Sequence, residues 1–86
     1  MTGSSALHEV LAQLAAARSA IDAALASVAR SRQELAEART ILGEHIPRQD
    51  CPTLGKHFTM AESRLELIVD RLERSNATVA SFAEAL

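Results

Sequence analysis

The 86-residue chain has no tryptophan or tyrosine, and only two phenylalanines, three glycines, two prolines and one cysteine. The lone Cys51 cannot form an internal disulfide, so nothing indicates a disulfide-built extracellular scaffold. No stretch approaches the roughly 20 apolar residues of a membrane span, and the first residues lack the basic and apolar regions of a secretory signal peptide. We therefore expect a cytoplasmic protein with no membrane partner, and we leave open its export without a cleaved signal peptide.

The charge of the chain is small and evenly spread. The formal net charge is −2, and the nine lysines and arginines form no run. Nucleic-acid binding needs a basic stripe, and single-stranded substrates also need aromatic rings on which bases stack. The sequence therefore predicts no nucleic-acid partner.

Large apolar side chains recur at every seventh position in two rows. The first row is Leu7, Leu14, Ile21, Val28, Leu35 and Leu42, and the second is Phe58, Leu65, Leu72, Val79 and Leu86. A strict seven-residue repeat predicts two long helices, each with one apolar seam that needs a partner. The predicted core and interface consist of both rows as far as Val79, together with Phe82.

The positions of glycine and proline divide the chain. Residues 1–5 are expected to form a disordered tail, and residues 6–86 a single helical-hairpin domain. Its first helix is predicted over 6–42, because Gly43 can adopt the left-handed conformation that ends helices. A turn over 43–53 holds both prolines, and the second helix is predicted over 54–85.

A rival start for the second helix is Thr59, where Thr59 and Glu62 have capping-box spacing. With either start the connection is short, so the helices must run antiparallel and the fold class is an all-α two-helix hairpin. Folding costs roughly 1.5 kcal/mol per ordered residue, and the many alanines bury little area. We therefore expect the hairpin to assemble into a four-helix bundle or coiled coil.

The two flanks of the first seam differ in composition. Three positions after each seam residue the side chains are nearly all small: Val10, Ala17, Ala24, Ser31 and Ala38. A bulkier row in the second helix would pack onto such a strip: Ala61, Ile68, Ser75 and Phe82. On the other flank Arg18, Arg32 and Arg39 can cover apolar surface with their stems. This flank is either a site for a second contact or the solvated edge of the hairpin, and the sequence leaves both open.

The few residues that could carry chemistry lie around the turn. His45, Asp50, Cys51 and His57 are of the types that bind zinc, but their spacing matches no compact zinc motif. A Cys–His hydrolase would need an oxyanion donor and an orienting group, and neither can be argued. We therefore predict no enzyme activity, no catalytic residues, no metal and no cofactor. Cys51 could join two chains on oxidation, and its role stays open.

The second helix carries an acidic side made of Glu62, Glu66, Asp70 and Glu73. Di-metal helical bundles also need Glu-x-x-His pairs, which this helix lacks, so we predict a solvated face with an Asp70–Arg74 pair. Ser75 and Asn76 interrupt the second seam near its middle. A buried polar residue there would fix the register at some cost in stability, and the alternative is that the pair faces outwards.

Two segments carry a resemblance to a known family: Leu35–Gly43, with the sequence LAEARTILG, and Met60–Glu66, with the sequence MAESRLE. Over Ala6–Leu86 the chain resembles the helical hairpins of type VII secretion, the WxG superfamily, in its actinobacterial relatives without the Trp-x-Gly turn, including toxin leader domains. The resemblance implies a small adaptor or partner protein, and no secretion-signal residues are carried over from it.

We interpret the chain as a protein–protein interaction module, a secretion- or toxin-associated helical adaptor that assembles through its heptad seams. The expected partners are a second copy or a homologous helical hairpin, with a secreted toxin or a secretion component as a further partner. The alternative is a small regulatory, antitoxin-like helical protein, which would need a charged flexible segment or a DNA-reading helix. The sequence does not identify the partner or distinguish a homodimer from a heterodimer.

Overall fold

The computed structural model describes residues 2–48 and 51–86, with side chains from Ser5 onwards, and consists of two α-helices. Helix α1 spans Thr2–His45 and helix α2 spans Cys51–Ala85. Early residues of α1 lie beside late residues of α2, so the two helices run antiparallel. The predicted all-α hairpin is thereby confirmed. Neither helix has, within these ranges, a stretch long and apolar enough to cross a membrane.

Helix α1 ends because of Pro47 and not because of Gly43. A proline disfavours the helical conformation in the residue before it, so Ile46 leaves the helix after its N–H donates a last hydrogen bond, 2.9 Å long, to the Leu42 carbonyl. Gly43 lies inside α1, and its φ is not positive, so it provides no left-handed cap. The expected end at residue 42 is too early, and α1 continues to His45.

Helix α1 also begins earlier than expected. Residues 2–5 belong to the helix instead of forming a disordered tail, and Met1 lies outside the described residues. This stretch contains no proline; relative to alanine in a helix, serine or threonine costs about 0.5 kcal/mol and Gly3 about 1 kcal/mol. The local sequence therefore offers no strong reason for the helix to stop before Thr2.

Helix α2 begins at Cys51 instead of residue 54, which shortens the expected turn from both sides. Pro52 fits the first helical turn, because the N–H that proline lacks would have no partner there. The rival start at Thr59 is wrong, since the helix is continuous from Cys51. Residues 49 and 50 of the turn, including Asp50, lie outside the described residues.

The helices touch along one stripe on each. On α1 the half-buried side chains are Leu11, Leu14, Ala17, Ile21, Ala24, Leu25, Val28, Leu35 and Ala38. On α2 the half-buried residues include Leu54, Ala61, Glu62, Leu65, Val69, Leu72, Asn76, Val79, Ala80 and Ala83. Phe58, with 9% of its surface exposed, is the only side chain in the described part of the chain that counts as buried. The hairpin therefore has a contact stripe and no enclosed core.

The molecule is a thin rod with a large surface for its mass. It measures 70 × 16 × 12 Å, and its radius of gyration of 19.9 Å exceeds the roughly 12 Å of a compact chain of this length. The accessible surface is 6581 Å², whereas a compact monomer of this mass would expose about 4,900 Å². The hairpin alone therefore leaves much more surface in water than a compact domain of this size.

Helix α1 extends beyond the end of α2. Asn76 lies level with Arg18 and Asp22, and α2 ends nine residues later, at Ala85. At equal rise per residue, roughly the first ten residues of α1 therefore have no helix beside them. Leu7 and other apolar side chains of this overhang are exposed for that reason.

The contact stripe can be tested with two leucines of α2 that differ in burial. Leu72 is half-buried in the stripe, whereas Leu67 has 50% of its surface exposed. We expect Leu72→Ala to lower the free energy of unfolding by about 2 kcal/mol, because apolar contacts across the stripe are lost. Leu67→Ala should change it by less than about 0.5 kcal/mol. Chemical denaturation followed by circular dichroism measures both values, and equal effects would contradict the stripe assignment.

Candidate interaction surfaces

Arginines of α1 bind carboxylates of α2 along one side of the contact stripe. The Arg39 Nη1 atom lies 3.0 Å from Glu62 Oε1, and Arg32 Nη2 lies 3.8 Å from Glu66 Oε1. All four side chains are substantially exposed, so each pair is worth no more than about 1 kcal/mol. The pairs nevertheless select one alignment of the helices, because a shift along the axis separates both at once.

Asn76 links the helices further along the same side. Its Nδ2 donates a hydrogen bond of 3.1 Å to Asp22 Oδ1, and its Oδ1 accepts one of 3.4 Å from Arg18 Nε. The Asn76 side chain therefore bridges two oppositely charged groups one helical turn apart on α1. Because Asn76 is half-buried in the stripe, it has the position from which a polar residue can fix register.

These contacts bear on the arginine flank of the first seam, for which the sequence left two roles open. Arg18, Arg32 and Arg39 all contact α2 of their own hairpin. Along this edge of the molecule the arginine side chains are therefore already bound to groups of the same chain. A second helix approaching here would have to displace charged groups from existing partners. We call this side the polar edge.

The contact stripe of α2 follows a different row from the expected one. The residues that turn toward α1 lie four positions after each seam residue of α2, and not three. They are Glu62, Val69, Asn76 and Ala83, and all are half-buried. The row three positions after is rotated outward at Ile68, Ser75 and Phe82, whereas Ala61 at its start is half-buried; we call these four residues the outer row. Ile68 is 43% exposed and Phe82 is 56% exposed. The expected packing of this row onto the small residues of α1 does not occur within the hairpin for Ile68, Ser75 and Phe82.

The signal for this rotation was present but weak. Val69 is the one sizeable apolar residue in the row that faces α1, and it is flanked there by Glu62 and Asn76, which are polar. A pattern based on apolar side chains alone therefore predicts that the row with Ile68 and Phe82 faces α1. The polar residues face inward because the Arg18, Asp22 and Arg39 side chains on α1 provide partners for them.

The predicted interface residues fall into two groups in the hairpin. Those in the contact stripe are Leu14, Ile21, Val28, Leu35, Phe58, Leu65, Leu72 and Val79. Those that remain exposed are Leu7, Leu42 and Phe82. Other exposed large apolar side chains are Val10, Ile41, Met60, Leu67, Ile68 and Leu86. The surface available to a partner is therefore composed largely of residues outside the two seven-residue rows.

The turn end holds the residues weighed as a metal or thiol site. Cys51 is half-buried, and its Sγ lies 3.7 Å from the Pro47 carbonyl oxygen, so the thiol faces the turn of its own chain. Within residues 2–48 and 51–86, no three His, Cys, Asp or Glu side chains come together as metal ligands would. His45 and His57, the described histidines of the proposed set, belong to no such cluster.

Two shallow grooves flank Phe58 at this end of the molecule. One, of about 250 Å³, is lined by Arg39, Gly43, Cys51, Leu54, Gly55 and Phe58. The other, of about 280 Å³, is lined by Leu35, Leu54, His57, Phe58 and Ala61. The second groove is almost wholly apolar and lies beside Ala61 of the outer row, so it can accept an apolar side chain.

The acidic side of α2 behaves largely as expected. The predicted Asp70–Arg74 pair is confirmed, with Arg74 Nη2 lying 3.2 Å from Asp70 Oδ2. Glu62 and Glu66 differ from a merely solvated face, because each binds an arginine of α1. Acidic residues therefore contribute to the alignment of the helices.

The cross-helix ion pair can be tested by reversing its charges. We expect Glu62→Arg to lower the free energy of unfolding by about 1 kcal/mol, because it faces Arg39 with a like charge. The double variant Arg39→Glu/Glu62→Arg should recover most of that loss. Thermal denaturation of the single and double variants measures the coupling, and two purely additive losses would contradict the pairing.

The bridge made by Asn76 can be tested with Asn76→Leu. We expect this change to raise the free energy of unfolding by about 1 kcal/mol, because leucine adds apolar contact in the stripe. Arg18 and Asp22 would return to water at little cost. We also expect a looser register, measured as a broader distance distribution between spin labels at Ser19 and Ala77. A less stable variant with an unchanged distribution would contradict the register role.

The molecule presents a polar edge with its own ion pairs and an opposite face that carries the outer row. No protein-family model, curated protein or solved structure matches this chain. The exposed surfaces of the hairpin, and the chemistry that these surfaces can support, are therefore what bears on its function.

Proposed function

We propose that this chain is a protein–protein interaction module, a helical adaptor that completes its core against the helices of another hairpin. The observation that supports the proposal is burial: among the described residues only Phe58 reaches the level of a core side chain. A domain that could stand alone would enclose several such residues. The chain leaves its apolar surface available to a partner instead.

The chemistry of the exposed face favours helices as the partner. The apolar residues lie at helical spacing along a rod 70 Å long, which suits another extended helix better than a compact ligand. The α1 row beside them is small, with Ala17 and Ala24 half-buried against α2 and Ser31 exposed, so no bulky side chain keeps the axis of a neighbouring helix away. The proposed partner is therefore a second copy of this chain or a homologous helical hairpin.

The association with secretion or with a toxin rests on the resemblance of Leu35–Gly43 and Met60–Glu66 to type VII secretion hairpins. Under this proposal the chain acts as a partner or leader for an exported protein and carries no catalytic step itself. Its binding energy comes from burying the outer row and the exposed ends of the seams. The antitoxin-like alternative gains no support from a DNA-reading helix or a basic face.

The interaction proposal predicts how the purified chain melts. We expect the midpoint of thermal unfolding to rise by several degrees when the protein concentration is raised about 100-fold, because association stabilises the folded state by mass action. Circular dichroism gives the midpoint, and light scattering at the same concentrations gives the mass. A monomer that melts below about 40 °C would also support the proposal, since it would need another protein. A monomer with a concentration-independent midpoint above about 65 °C would contradict it.

The secretion part of the proposal requires a separate experiment in the host. A tagged chain should be found in the culture filtrate, or a neighbouring gene product should disappear from the filtrate when the chain is deleted. Inactivating the type VII secretion ATPase should remove the same protein from the filtrate. A cytoplasmic enzyme followed in the same fractions controls for lysis. An unchanged set of filtrate proteins in strains lacking either the chain or the ATPase would contradict the secretion role and leave the interaction role standing.

A further inference from the structure

The outer row of α2 alternates between small and large side chains. Ala61 is small, Ile68 is large, Ser75 is small and Phe82 is large, at a constant spacing of seven residues. Ile68 and Phe82 are about half exposed in the hairpin, and Ser75 is exposed between them. Read in reverse, the row is large, small, large, small. Two such rows that run antiparallel therefore place every large side chain opposite a small one.

We infer that the outer row binds the outer row of a second copy of this chain, with the two α2 helices antiparallel. Ile68 of each copy then lies opposite Ser75 of the other, and Phe82 lies opposite Ala61. The turns of the two hairpins are at opposite ends of the resulting four-helix bundle. This inference rests on the proposed function and specifies its partner and its surface.

The pairing is symmetric and closed. A two-fold axis crosses α2 midway between Ile68 and Ser75, close to Arg71, and each contact on one side of the axis is repeated on the other. Such an isologous interface ends at the dimer and does not continue into a filament. The axis also lies near the middle of α2, which spans Cys51–Ala85, so most of the helix is covered.

The apolar groove at the turn end fits this arrangement. It has a volume of about 280 Å³ and is lined on one side by Ala61, with Leu54 and Phe58 behind it. Phe82 of the second copy lies opposite Ala61 in the inferred register. Its ring would therefore enter a groove whose walls are already apolar, and the most exposed aromatic side chain of the hairpin would be removed from water.

The overhang of α1 is also covered in this arrangement. The two-fold axis lies level with about residue 25 of α1, because Asn76 lies level with Arg18 and Asp22. The first ten residues of one α1 then run beside the last residues of the other α1. Exposed Leu7 and Val10 would meet exposed Ile41 and Leu42 of the second copy. In the alternative dimer, with both turns at the same end, the two overhangs would instead project together past the ends of both α2 helices.

The facing row of α1 permits this approach. The row of α1 on this side is small: Ala17, Ala24 and Ala38 are half-buried beside α2 of their own hairpin, and Ser31 is exposed. Small side chains let helix axes come close, whereas a bulky row here would hold the α2 helices too far apart to interlock. The polar edge, with its bound arginines, lies on the opposite side of the molecule and stays in water.

The surface area is of the size that a stable dimer requires. The chain exposes 6581 Å², which exceeds the area of a compact monomer of its mass by about 1,700 Å². Covering that excess on both copies would bury roughly 3,400 Å² in total, within the range of obligate homodimers. The hairpin therefore has enough excess surface for a permanent contact with a second copy.

Exchanging the two central residues tests the register. We expect Ile68→Ser and Ser75→Ile each to weaken the dimer at least about tenfold, because small then faces small and large faces large. The double variant Ile68→Ser/Ser75→Ile has the composition of the original chain and again places a large side chain opposite a small one at both central positions. Its dissociation constant, measured by sedimentation over a dilution series, should return to within about threefold of the original.

Matched controls separate pairing from folding. Ile68 and Ser75 are exposed in the hairpin, and serine and isoleucine have similar helix propensities, so helix content should be unchanged in all three variants. Leu67→Ser, next to the row but on another side of α2, should leave the dimer intact. Additive losses in the double variant, or a dimer insensitive to both single changes, would overturn the inference.

Crosslinking tests the two-fold axis directly. In a Cys51→Ala background, Arg71→Cys should join two copies through a short bismaleimide, since the axis brings the two positions together. Leu67→Cys should not. Crosslinking at neither position would show that the α2 helices do not pair here. Crosslinking at both positions would show that the turns lie at the same end, because each residue of one α2 is then level with the same residue of the other. A chain that is monomeric at every concentration would also overturn the inference, and weak melting would then leave the proposed function standing with a different hairpin.

Discussion

A helix of a two-helix hairpin can turn only one stripe of side chains toward its neighbour, and this limit governs the rest of the structure. Residues in the stripe are half-buried, because each is covered by one helix and open to water at both flanks. Phe58 is buried because it lies beside the turn end, where Leu54 and Leu35 surround it. Lengthening both helices to form a 70 Å rod adds contact in proportion to length and never encloses an interior.

The polar contacts decide which flank of the stripe is closed. Arg32 and Arg39 reach carboxylates on α2, and Asn76 bridges Arg18 and Asp22. Each exposed contact contributes little to stability, yet all of them lie on the same side and hold α2 in one rotation about its axis. That rotation brings Asn76 into the stripe and turns the neighbouring outer row away from it. The polar edge and the exposed apolar row are thus two consequences of a single arrangement.

The seven-residue repeat was sufficient to predict two helices, their antiparallel order and most of the contact stripe. The ends of the helices were harder, because Gly43 and Pro47 both can end a helix and the sequence alone does not rank them. The rotation of α2 was missed for an electrostatic reason. A pattern of apolar residues does not show that Glu62 and Asn76 face inward, because they do so to bind charged groups on the other helix.

The alternation of small and large side chains in the outer row also affects which partners the hairpin can bind. A homologous hairpin could replace the second copy if its outer row had the same alternation, because self-pairing and pairing with a relative would use the same surface. A relative with the opposite phase would place Ile68 and Phe82 against large side chains. Overpacking of that kind costs about 1–3 kcal/mol at each site and would occur more than once along the row. The outer row would therefore exclude some partners as well as admit others. Because the alanine-rich helices are individually of low stability, assembly depends on a partner whose side-chain sizes match this row.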